Sequence, residues 1–248
     1  MNLKEFFIKN PRVAVAFSGG VDSAYLLYAA KKYATNVCAY YVKSDFQPQF
    51  ELDDAIKLAK ELDAEMKIIN LDILSVPFVK ENPENRCYYC KKAIFSAIIN
   101  EAEKDGYKVI IDGTNASDDE NDRPGVKALR ELSVFSPLNE CGLTKEKVRT
   151  LSKEAGLFTW NKPAYACLAT RIAANEEITK EKLTAIEKSE DFLFSLGFSD
   201  FRIRQKNGEA KIQLPENQFS LFFGHRKTIV GFLKRYYKTI VLDLEVRG

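Results

Sequence analysis

Apolar and polar positions along the first part of the chain alternate in a way that predicts strands separated by helices. Short runs of small and branched apolar residues predict buried strands, and segments with apolar residues at helical spacing follow them. The predicted strands are RVAVAF, NVCAYYVKS, EMKIINLD and YKVIIDGTN. The predicted helices are DSAYLLYAAKKYA, FELDDAIKLAKELDA and RCYYCKKAIFSAIINEAEKDG. This alternation predicts an α/β fold, a parallel sheet with helices on both faces.

After about residue 160 the pattern changes and predicts a second, smaller domain of α+β type. A helical pattern starts near Thr179 and ends at Gly197. The segment FRIRQKNGEAKIQL alternates on both sides of Asn207–Gly208, which is a strong signal for a β-hairpin. A helix, HRKTIVGFLKRYYK, and a strand, TIVLDLEV, complete this part. We therefore predict a first domain over residues 1–165 and a second over 166–248.

Composition is that of an ordinary soluble globular protein, with 46% hydrophobic and 29% charged residues. No apolar run reaches the roughly 18 residues of a membrane span. The N-terminus lacks the apolar core of a signal peptide, and five irregularly spaced cysteines argue against a secreted disulfide framework, so we expect a cytoplasmic protein. A net charge of +2 gives no strong attraction to nucleic acid, which disfavours an RNA substrate without excluding it.

The string SGGVDS, from Ser18 to Ser23, joins the first predicted strand to the first predicted helix. Gly19 and Gly20 let the backbone approach a ligand closely, and the helix start offers free N–H groups and a positive dipole end. Ser18 and Ser23 add hydroxyl donors. The two glycines alone would also suit an ordinary turn, but the whole string after an apolar strand predicts a phosphate cradle that is not a Walker loop.

A second glycine-containing loop follows the fourth predicted strand and carries Gly113-Thr114-Asn115, with Asp118 near by. Taken alone, this loop fits a surface turn. Ligands of parallel α/β sheets bind beyond the carboxyl ends of the strands, where both loops fall. We therefore predict that the second loop forms the other wall of a nucleotide site.

With these loops the chain resembles the PP-loop ATP pyrophosphatases, which cleave ATP between the α- and β-phosphates and adenylate a substrate. The resemblance implies ATP and Mg²⁺ as cofactors, with Asp22 contributing to the metal site. Adenylation turns a poor leaving oxygen into AMP, which a sulfur or nitrogen nucleophile can replace.

Two cysteines, Cys87 and Cys90, form a C-x-x-C pair in ENPENRCYYCKKAIF. This spacing fits a redox dithiol, half of a zinc site or part of an iron–sulfur site. A closed zinc site needs further ligands. We interpret the single histidine, His225, as the polar start of a helix, Cys38 as a core residue and Cys141 as a loop residue without a role.

A third cysteine, Cys167, lies in NKPAYACLATRIAA, four residues before Arg171. By itself, a cysteine in a short apolar stretch is more typical of a core position. Three thiolates without an evident fourth ligand suit a cluster with one open iron better than a closed zinc site, although composition does not identify the metal.

The strings ACLATRI, DGTN, SPL, GLTK and RCYYCKKA together resemble the pyridinium-3,5-biscarboxylic acid mononucleotide sulfurtransferases, from about Val13 to Arg247. These enzymes supply sulfur to the nickel-pincer nucleotide of lactate racemase. In one mode of the family, the cysteine matching Cys167 gives up its own sulfur and becomes dehydroalanine. In the other, three cysteines hold a [4Fe-4S] cluster. The presence of Cys87, Cys90 and Cys167 implies the second mode.

The resemblance also assigns roles in the predicted second domain. It implies that four arginines bind the phosphate of the mononucleotide substrate: Arg171, Arg202, Arg204 and Arg247. From spacing alone, Arg202 and Arg204 share one strand face that is more typical of a solvated hairpin surface. Glu190 matches a functional acid of the family, and Tyr88 could stack on the pyridinium ring or serve packing.

The resemblance therefore implies that the chain is an ATP-dependent sulfurtransferase that adenylates a substrate carboxylate and inserts sulfur. The alternatives are a cluster-dependent tRNA thiolase of the same superfamily, a single-turnover enzyme with a sacrificial cysteine, and a non-catalytic adenine-nucleotide sensor with a structural metal. The family further implies a homo-oligomer, for example a hexamer, whereas a membrane or nucleic acid partner is not expected.

Overall fold

The computed structural model describes residues 1–118 and 124–246, and it confirms the predicted α/β fold. The described helices, numbered in chain order, are α1 Leu3–Lys9, α2 Val21–Tyr33, α3 Gln49–Glu61, α4 Arg86–Lys104, α5 Pro124–Glu131, α6 Pro137–Glu140, α7 Lys145–Glu154, α8 Lys180–Ser195 and α9 Phe219–Leu233. The described strands are β1 Arg12–Ala16, β2 Asn36–Lys43, β3 Glu65–Asn70, β4 Ile110–Ile111, β5 Arg202–Lys206, β6 Glu209–Gln213 and β7 Thr239–Leu242.

The chain divides into two compact units. The first unit contains residues 1–76 and 85–165, and the second contains residues 77–84 together with the described residues from 166 onward. Residues 77–84, which the sequence analysis placed in the first domain, join the second unit through Asn82. The Asn82 amide donates to the Ala173 carbonyl at 2.8 Å, and the Asn175 N–H donates to the Asn82 carbonyl at 2.8 Å.

A four-stranded sheet in the order β3-β2-β1-β4 forms the centre of the first unit, and all its described pairings are parallel. Successive side chains of β1 point to opposite faces, as strand geometry requires. Val13 and Val15 pack in one core cluster with Leu26 of α2, and Ala14 packs in another with Phe95 of α4. Helices therefore cover both faces, as predicted.

The fourth predicted strand is shorter than its apolar pattern indicated. Only Ile110 and Ile111 pair with β1. The other edge of β4 forms a single parallel bridge, between Ile111 and Phe135, in which the Asp112 N–H donates to the Phe135 carbonyl at 2.9 Å. The Asp112 carboxylate accepts hydrogen bonds from the loop that follows. The early end of β4 gives this loop its position at the sheet edge.

In the second unit, the predicted hairpin is confirmed. Strands β5 and β6 pair antiparallel across Asn207 and Gly208, whose φ angles of +48° and +77° are those that a tight hairpin turn of this kind needs. Strand β7 adds parallel to β6. Helices α8 and α9 contribute Leu193 and Ile229 to the core beneath this sheet.

The last predicted helix was placed too late in the chain. Helix α9 starts at Phe219, directly after a 3₁₀ turn at Glu216–Gln218, and ends at Leu233. His225 therefore lies inside the helix, and its interpretation as the polar start of a helix is wrong. The apolar residues before Gly224 extend the helix because Phe222 is buried in the core of the second unit. Within the described residues, no helix has the length and apolar character that a membrane crossing requires.

Candidate active site

The phosphate loop connects β1 to α2 in the first unit and is closed by its two serines. The Ser23 hydroxyl accepts a hydrogen bond from the Ser18 N–H at 3.3 Å and lies 3.1 Å from the Ser18 hydroxyl. Gly19 has a φ of +72°, and a Cβ there would lie 3.2 Å from the Cβ of Ala55 on α3. Both the backbone conformation and the close approach of α3 therefore require glycine at this position.

The start of α2 faces this loop with its backbone donors. Gly20 is the N-cap residue, so no side chain caps the first turn of the helix. The first N–H groups of a helix have no partner within the helix and carry a partial positive charge. An anion bound in the loop would satisfy them, as the sequence string predicted.

Asp22 lies in the first turn of α2 and makes two polar contacts across the loop. Its Oδ1 accepts a hydrogen bond from the Asn115 amide at 3.3 Å, and its Oδ2 forms an ion pair with the Lys145 ammonium. The side chains of Lys145 and Asp22 are 34% and 21% exposed, so solvent reaches both ends of the pair. A carboxylate that is oriented by two partners and still reached by solvent can bind a metal ion.

The second predicted loop lies directly against the first. A Cβ at Gly113 would lie 2.9 Å from the Ser23 nitrogen and 3.2 Å from the Asp22 carbonyl carbon. Real Cβ atoms do not approach so closely, so glycine at this position allows the second loop to reach the start of α2. The structure thus brings Gly113 and Asn115 to Asp22, as the positions of both loops at strand ends predicted.

The second loop is held in shape by its own side chains. The buried Asp112 carboxylate accepts from the hydroxyls of Thr114 and Ser136, both at 2.6 Å. Asp118 accepts from the Asn115 N–H at 3.1 Å and donates its own N–H to the Asn115 carbonyl at 3.0 Å. Thr114 and Asp118, predicted as ATP-binding residues, therefore have a described role in shaping the loop.

Sequence reasoning assigned no role to Lys145, Asp112 or Ser136. Lys145 is the last residue of the string GLTK, and Ser136 begins SPL, so both were present in strings that carried the family resemblance. Lys145 opens α7, where the preceding Thr144 caps the helix by accepting from the Lys147 N–H at 3.3 Å. The cap fixes the point from which the Lys145 side chain extends to Asp22.

The cysteine pair lies in the first two turns of α4. Cys87 is exposed and Cys90 is buried, and their i, i+3 spacing places them on neighbouring positions of one helix side. The guanidinium of the adjacent Arg86 contacts the Cys87 sulfur at 3.9 Å. Two thiols in a C-x-x-C pair can serve as ligands of one metal ion or cluster.

Cys167 lies in the second unit, at the start of a 3₁₀ turn over Leu168–Arg171. Its carbonyl accepts from the Thr170 hydroxyl at 2.8 Å and from the Thr170 N–H at 3.0 Å. Arg171 donates to the Ala166 carbonyl at 2.8 Å and to the Thr170 hydroxyl at 2.9 Å. These contacts fix the backbone on both sides of the cysteine.

Arg171 and Glu190 form a buried ion pair beneath this turn. Their side chains are 1% and 2% exposed, and Arg171 Nε donates to Glu190 Oε1 at 3.0 Å. The same carboxylate oxygen accepts from the Ile203 N–H of β5 at 3.0 Å. The pair therefore connects the Cys167 turn, helix α8 and strand β5.

The two hairpin arginines lie in different surroundings. Arg202 is buried and donates to the Phe201 carbonyl at 2.6 Å, whereas Arg204 is exposed and donates to the Thr170 carbonyl at 2.7 Å and to Gln213 at 2.9 Å. Arg204 thus meets the Cys167 turn through Thr170. Arg247, the fourth predicted phosphate ligand, lies outside the described residues.

The structure also shows the surroundings of Tyr88, Cys38 and Cys141. Tyr88 donates its hydroxyl to Glu131 at 2.7 Å and so connects α4 to α5. Cys38 is 1% exposed, which confirms it as a core residue, and burial raises the pKa of its thiol from 9.0 to about 11. Burial also raises the pKa of the Cys141 thiol.

Potential metal-ligating side chains are dispersed over residues 1–118 and 124–246. In these ranges no group of three or more His, Cys, Asp or Glu side chains is gathered closely enough to hold a metal ion. Cys87 and Cys90 belong to the first unit and Cys167 to the second. Thiols are suitable iron–sulfur ligands, and one carboxylate is a usual protein contribution to a Mg²⁺–nucleotide site, so the donor types fit both predicted groups.

Comparisons with known proteins found a matching family model and several similar proteins. A family model described as queuosine biosynthesis protein QueC matches residues 12–81, which include the phosphate loop. An uncharacterized protein of Synechocystis is 36% identical over 98% of this chain and 92% of its own length. A tRNA-specific 2-thiouridylase of Clostridium botulinum is 26% identical over 60% of this chain and 52% of its own length.

One named relative covers almost the whole chain. The pyridinium-3,5-bisthiocarboxylic acid mononucleotide synthase of Lactiplantibacillus plantarum is 36% identical over 94% of this chain and 86% of its own length. Similarity of this degree and extent confirms the family resemblance, while the iron–sulfur type stays a prediction. The chain therefore belongs to the family of this synthase, and it is an ATP-dependent sulfurtransferase of the PP-loop type.

Proposed function

We propose that the protein adenylates a carboxylate of pyridinium-3,5-biscarboxylic acid mononucleotide and converts it to a thiocarboxylate for a nickel-pincer cofactor. The name of the Lactiplantibacillus plantarum relative supports this substrate class. The observation that carries the ATP step is the meeting of Asn115 and Lys145 at the Asp22 carboxylate, beside an uncapped helix start. Such a carboxylate can position Mg²⁺ against the phosphates.

In the first step, a carboxylate oxygen of the substrate attacks the α-phosphorus of ATP. The bond from that phosphorus to the bridging oxygen breaks, pyrophosphate leaves and an acyl adenylate forms. The N–H groups at the start of α2 and the hydroxyls of Ser18 and Ser23 bind the departing phosphates. Lys145 is placed to balance their negative charge, because a fixed cation stabilises charge that develops in the transition state.

In the second step, a sulfur nucleophile attacks the acyl carbon and AMP leaves. We propose that Cys87, Cys90 and Cys167 are the protein ligands of a [4Fe-4S] cluster. When bound, such a cluster with three protein ligands supplies one open iron that can carry sulfide. The spacing of Cys87 and Cys90 on α4 suits two thiols that bind the same cluster.

The sacrificial mode remains the second candidate, and a specific observation favours it. The carbonyls of Ala166 and Cys167 are both hydrogen bonded, so the turn presents its thiol from a fixed backbone. A cysteine sulfur that attacks the acyl carbon forms a thioester. Loss of the Cα proton and cleavage of the Cβ–S bond then leave dehydroalanine and the thiocarboxylate product.

The arginines and Glu190 complete the proposal. Arg202, Arg204 and Arg247 bind the substrate phosphate, since guanidinium groups match phosphate oxygens in pairs. The phosphate role of Arg171 stays a prediction, and its buried contacts support a second role, holding the Cys167 turn with Glu190. Tyr88 remains a candidate for stacking on the pyridinium ring. We further propose a homo-oligomer.

A cysteine series tests the sulfur source. Protein purified without oxygen is assayed for iron, sulfide, pyrophosphate release and thiocarboxylate formation. If the cluster is used, alanine at Cys87, Cys90 or Cys167 abolishes both iron binding and thiocarboxylate formation, whereas Cys38→Ala and Cys141→Ala retain both. If Cys167 is sacrificial, Cys87→Ala stays active and the parent loses about 34 Da, the mass of one H₂S, in one turnover.

The remaining alternatives differ in substrate and in turnover. A tRNA thiolase would release pyrophosphate with tRNA and not with the mononucleotide. A non-catalytic nucleotide sensor would bind ATP and release no pyrophosphate with either. Pyrophosphate released only when ATP and the mononucleotide are both present supports the proposed enzyme over both alternatives.

A further inference from the structure

The segment that leads to Cys167 is fastened to the first unit before the chain leaves it. A 3₁₀ turn at Phe158–Asn161 is followed by Lys162, whose ammonium pairs with the Asp54 carboxylate of α3 at 2.7 Å. These two side chains are 16% and 34% exposed, so the pair is better shielded than an ordinary surface pair. The pair therefore holds Lys162 against α3.

Two further contacts act on the same segment. Arg149 of α7 donates to the carbonyls of Trp160 and Lys162, at 2.8 and 2.9 Å. The ring of Tyr165 meets the ring of Phe50 edge to face, with centroids 4.9 Å apart. The segment is thus held from α7 on one side and from α3 on the other, up to the last residue of the first unit.

The part of α3 that holds this segment also touches the phosphate loop. A Cβ at Gly19 would lie 3.2 Å from the Cβ of Ala55, the residue after Asp54, and 3.3 Å from the Glu51 carbonyl, one residue after Phe50. One stretch of α3, from Phe50 to Ala55, therefore supports the ATP-binding loop and the segment before Cys167. Helix α3 fixes the point where the chain leaves the first unit relative to the phosphate loop.

This arrangement matters because Cys167 follows Tyr165 by only two residues. Two residues span at most about 7 Å, so Cys167 lies within that reach of Tyr165, the last residue of the first unit. Sulfur transfer to a bound adenylate depends on the placement of the sulfur, and a shift of about 1 Å from a distant change can lower a rate about 100-fold.

We infer that Asp54, Lys162 and Phe50 are positioning residues for the sulfur-transfer step, acting through the segment that carries Cys167. This inference rests on the proposed function. It assigns to the Asp54–Lys162 pair a part in the second chemical step and none in adenylation, because the pair contacts neither Asp22 nor the second loop in the described contacts. The residues of α3 that approach the phosphate loop are Glu51 and Ala55.

Asp54→Asn and Lys162→Met test the inference against Glu61→Gln, which removes an exposed carboxylate of the same helix that faces Lys57 at 4.0 Å. In the first turnover, we expect both test variants to release pyrophosphate at the parent rate and to form thiocarboxylate about tenfold more slowly or worse. The double variant should be no slower than either single variant, since both remove one interaction. The control should match the parent in both rates.

Equal losses in the first-turnover rates of pyrophosphate release and thiocarboxylate formation, or no loss in either, would contradict the inference. Hydrogen exchange gives a measurement that needs no turnover. Asp54→Asn should raise the amide exchange of residues 160–168 while the rest of α3 keeps its protection. Unchanged exchange in that segment overturns the anchoring role, whereas a parent that forms no thiocarboxylate overturns the proposed function instead.

Discussion

The ATP loops of the first unit and the Cys167 turn of the second are built in different ways. The phosphate loop depends on backbone freedom at Gly19, on close packing at Gly113 and on an uncapped helix start that a ligand can complete. The Cys167 turn depends on side chains that occupy its backbone acceptors, with the Arg171–Glu190 pair almost wholly buried beneath it. The first region is shaped to receive a ligand, and the second is fixed before any ligand arrives.

This difference predicts which mutations should lower stability and which should lower catalysis. A loop that a ligand completes can lose a polar side chain and keep its fold, so catalysis suffers and stability does not. A turn held by a buried ion pair transmits the loss of one partner to the whole unit, because the remaining charge has no water to solvate it.

Glu190→Gln should therefore produce the largest loss of stability. Removing one charge of a buried pair leaves the other uncompensated and costs about 3–5 kcal/mol. Urea unfolding followed by a probe in the second unit would measure this loss. Lys188→Met, which removes an exposed charge of the same helix, is the control and should be close to neutral. Parent-like stability in Glu190→Gln would show that the pair contributes little to the second unit.

Asp22→Asn should act in the opposite way, with a large loss of adenylation and little change in stability. The amide keeps the size of the side chain but cannot hold Mg²⁺ or pair with Lys145, so pyrophosphate release should fall about 100-fold or more. Lys145→Met should share this effect, and Lys147→Met, an exposed lysine of the same helix, should not. Pyrophosphate release at the parent rate in Asp22→Asn would remove Asp22 from the ATP step.

Arg204→Ala tests whether the fixed region also binds substrate. Loss of one charge-assisted phosphate contact should weaken binding of the mononucleotide by about 1.5–3 kcal/mol and leave ATP binding unchanged. Calorimetric titration with each ligand measures both. Lys206→Met, two residues along the same strand face, is the control. Equal weakening of both ligands would assign Arg204 a purely structural part at Thr170.

The smallest expected effect is a pH-dependent change in stability that comes from Cys38, in the core of the first unit. Burial raises the pKa of Cys38 from 9.0 to about 11, so the folded thiol keeps its proton after the unfolded one has lost it. Its contribution to stability is fully present below pH 9 and declines as pH rises toward about 11. The stability of Cys38→Ala should fall less steeply than that of the parent over this range. Parallel stability curves would contradict the raised pKa.

Much of the fold could be predicted from the sequence because apolar periodicity follows burial. The strand–helix alternation around SGGVDS and the hairpin at Asn207–Gly208 have local signals, and the structure has both. Both ATP loops could be placed together because parallel strands end at one edge of a sheet.

The contacts that complete the sites could not be predicted, because they join distant parts of the chain. Lys145 meets Asp22 across 123 positions, and no local pattern marks a lysine for that partner. Helices α1 and α7 were not predicted either. The Arg171–Glu190 pair was divided by the sequence analysis into a phosphate ligand and a functional acid, because the chain does not reveal that each charge is buried against the other.

The joining of residues 77–84 to the second unit has a consequence for anyone who wishes to separate or exchange the two units. The backbone crosses between units three times, at 76/77, 84/85 and 165/166, so no single cut yields both pieces intact. A fragment that begins at residue 166 lacks the Asn82 amide that donates to the Ala173 carbonyl. The complementary fragment, residues 1–165, keeps residues 77–84 but lacks the rest of the second unit, against which they pack. An exchange between homologues should therefore transfer residues 77–84 together with the C-terminal part. Graft boundaries that ignore this loop should yield insoluble chimeras.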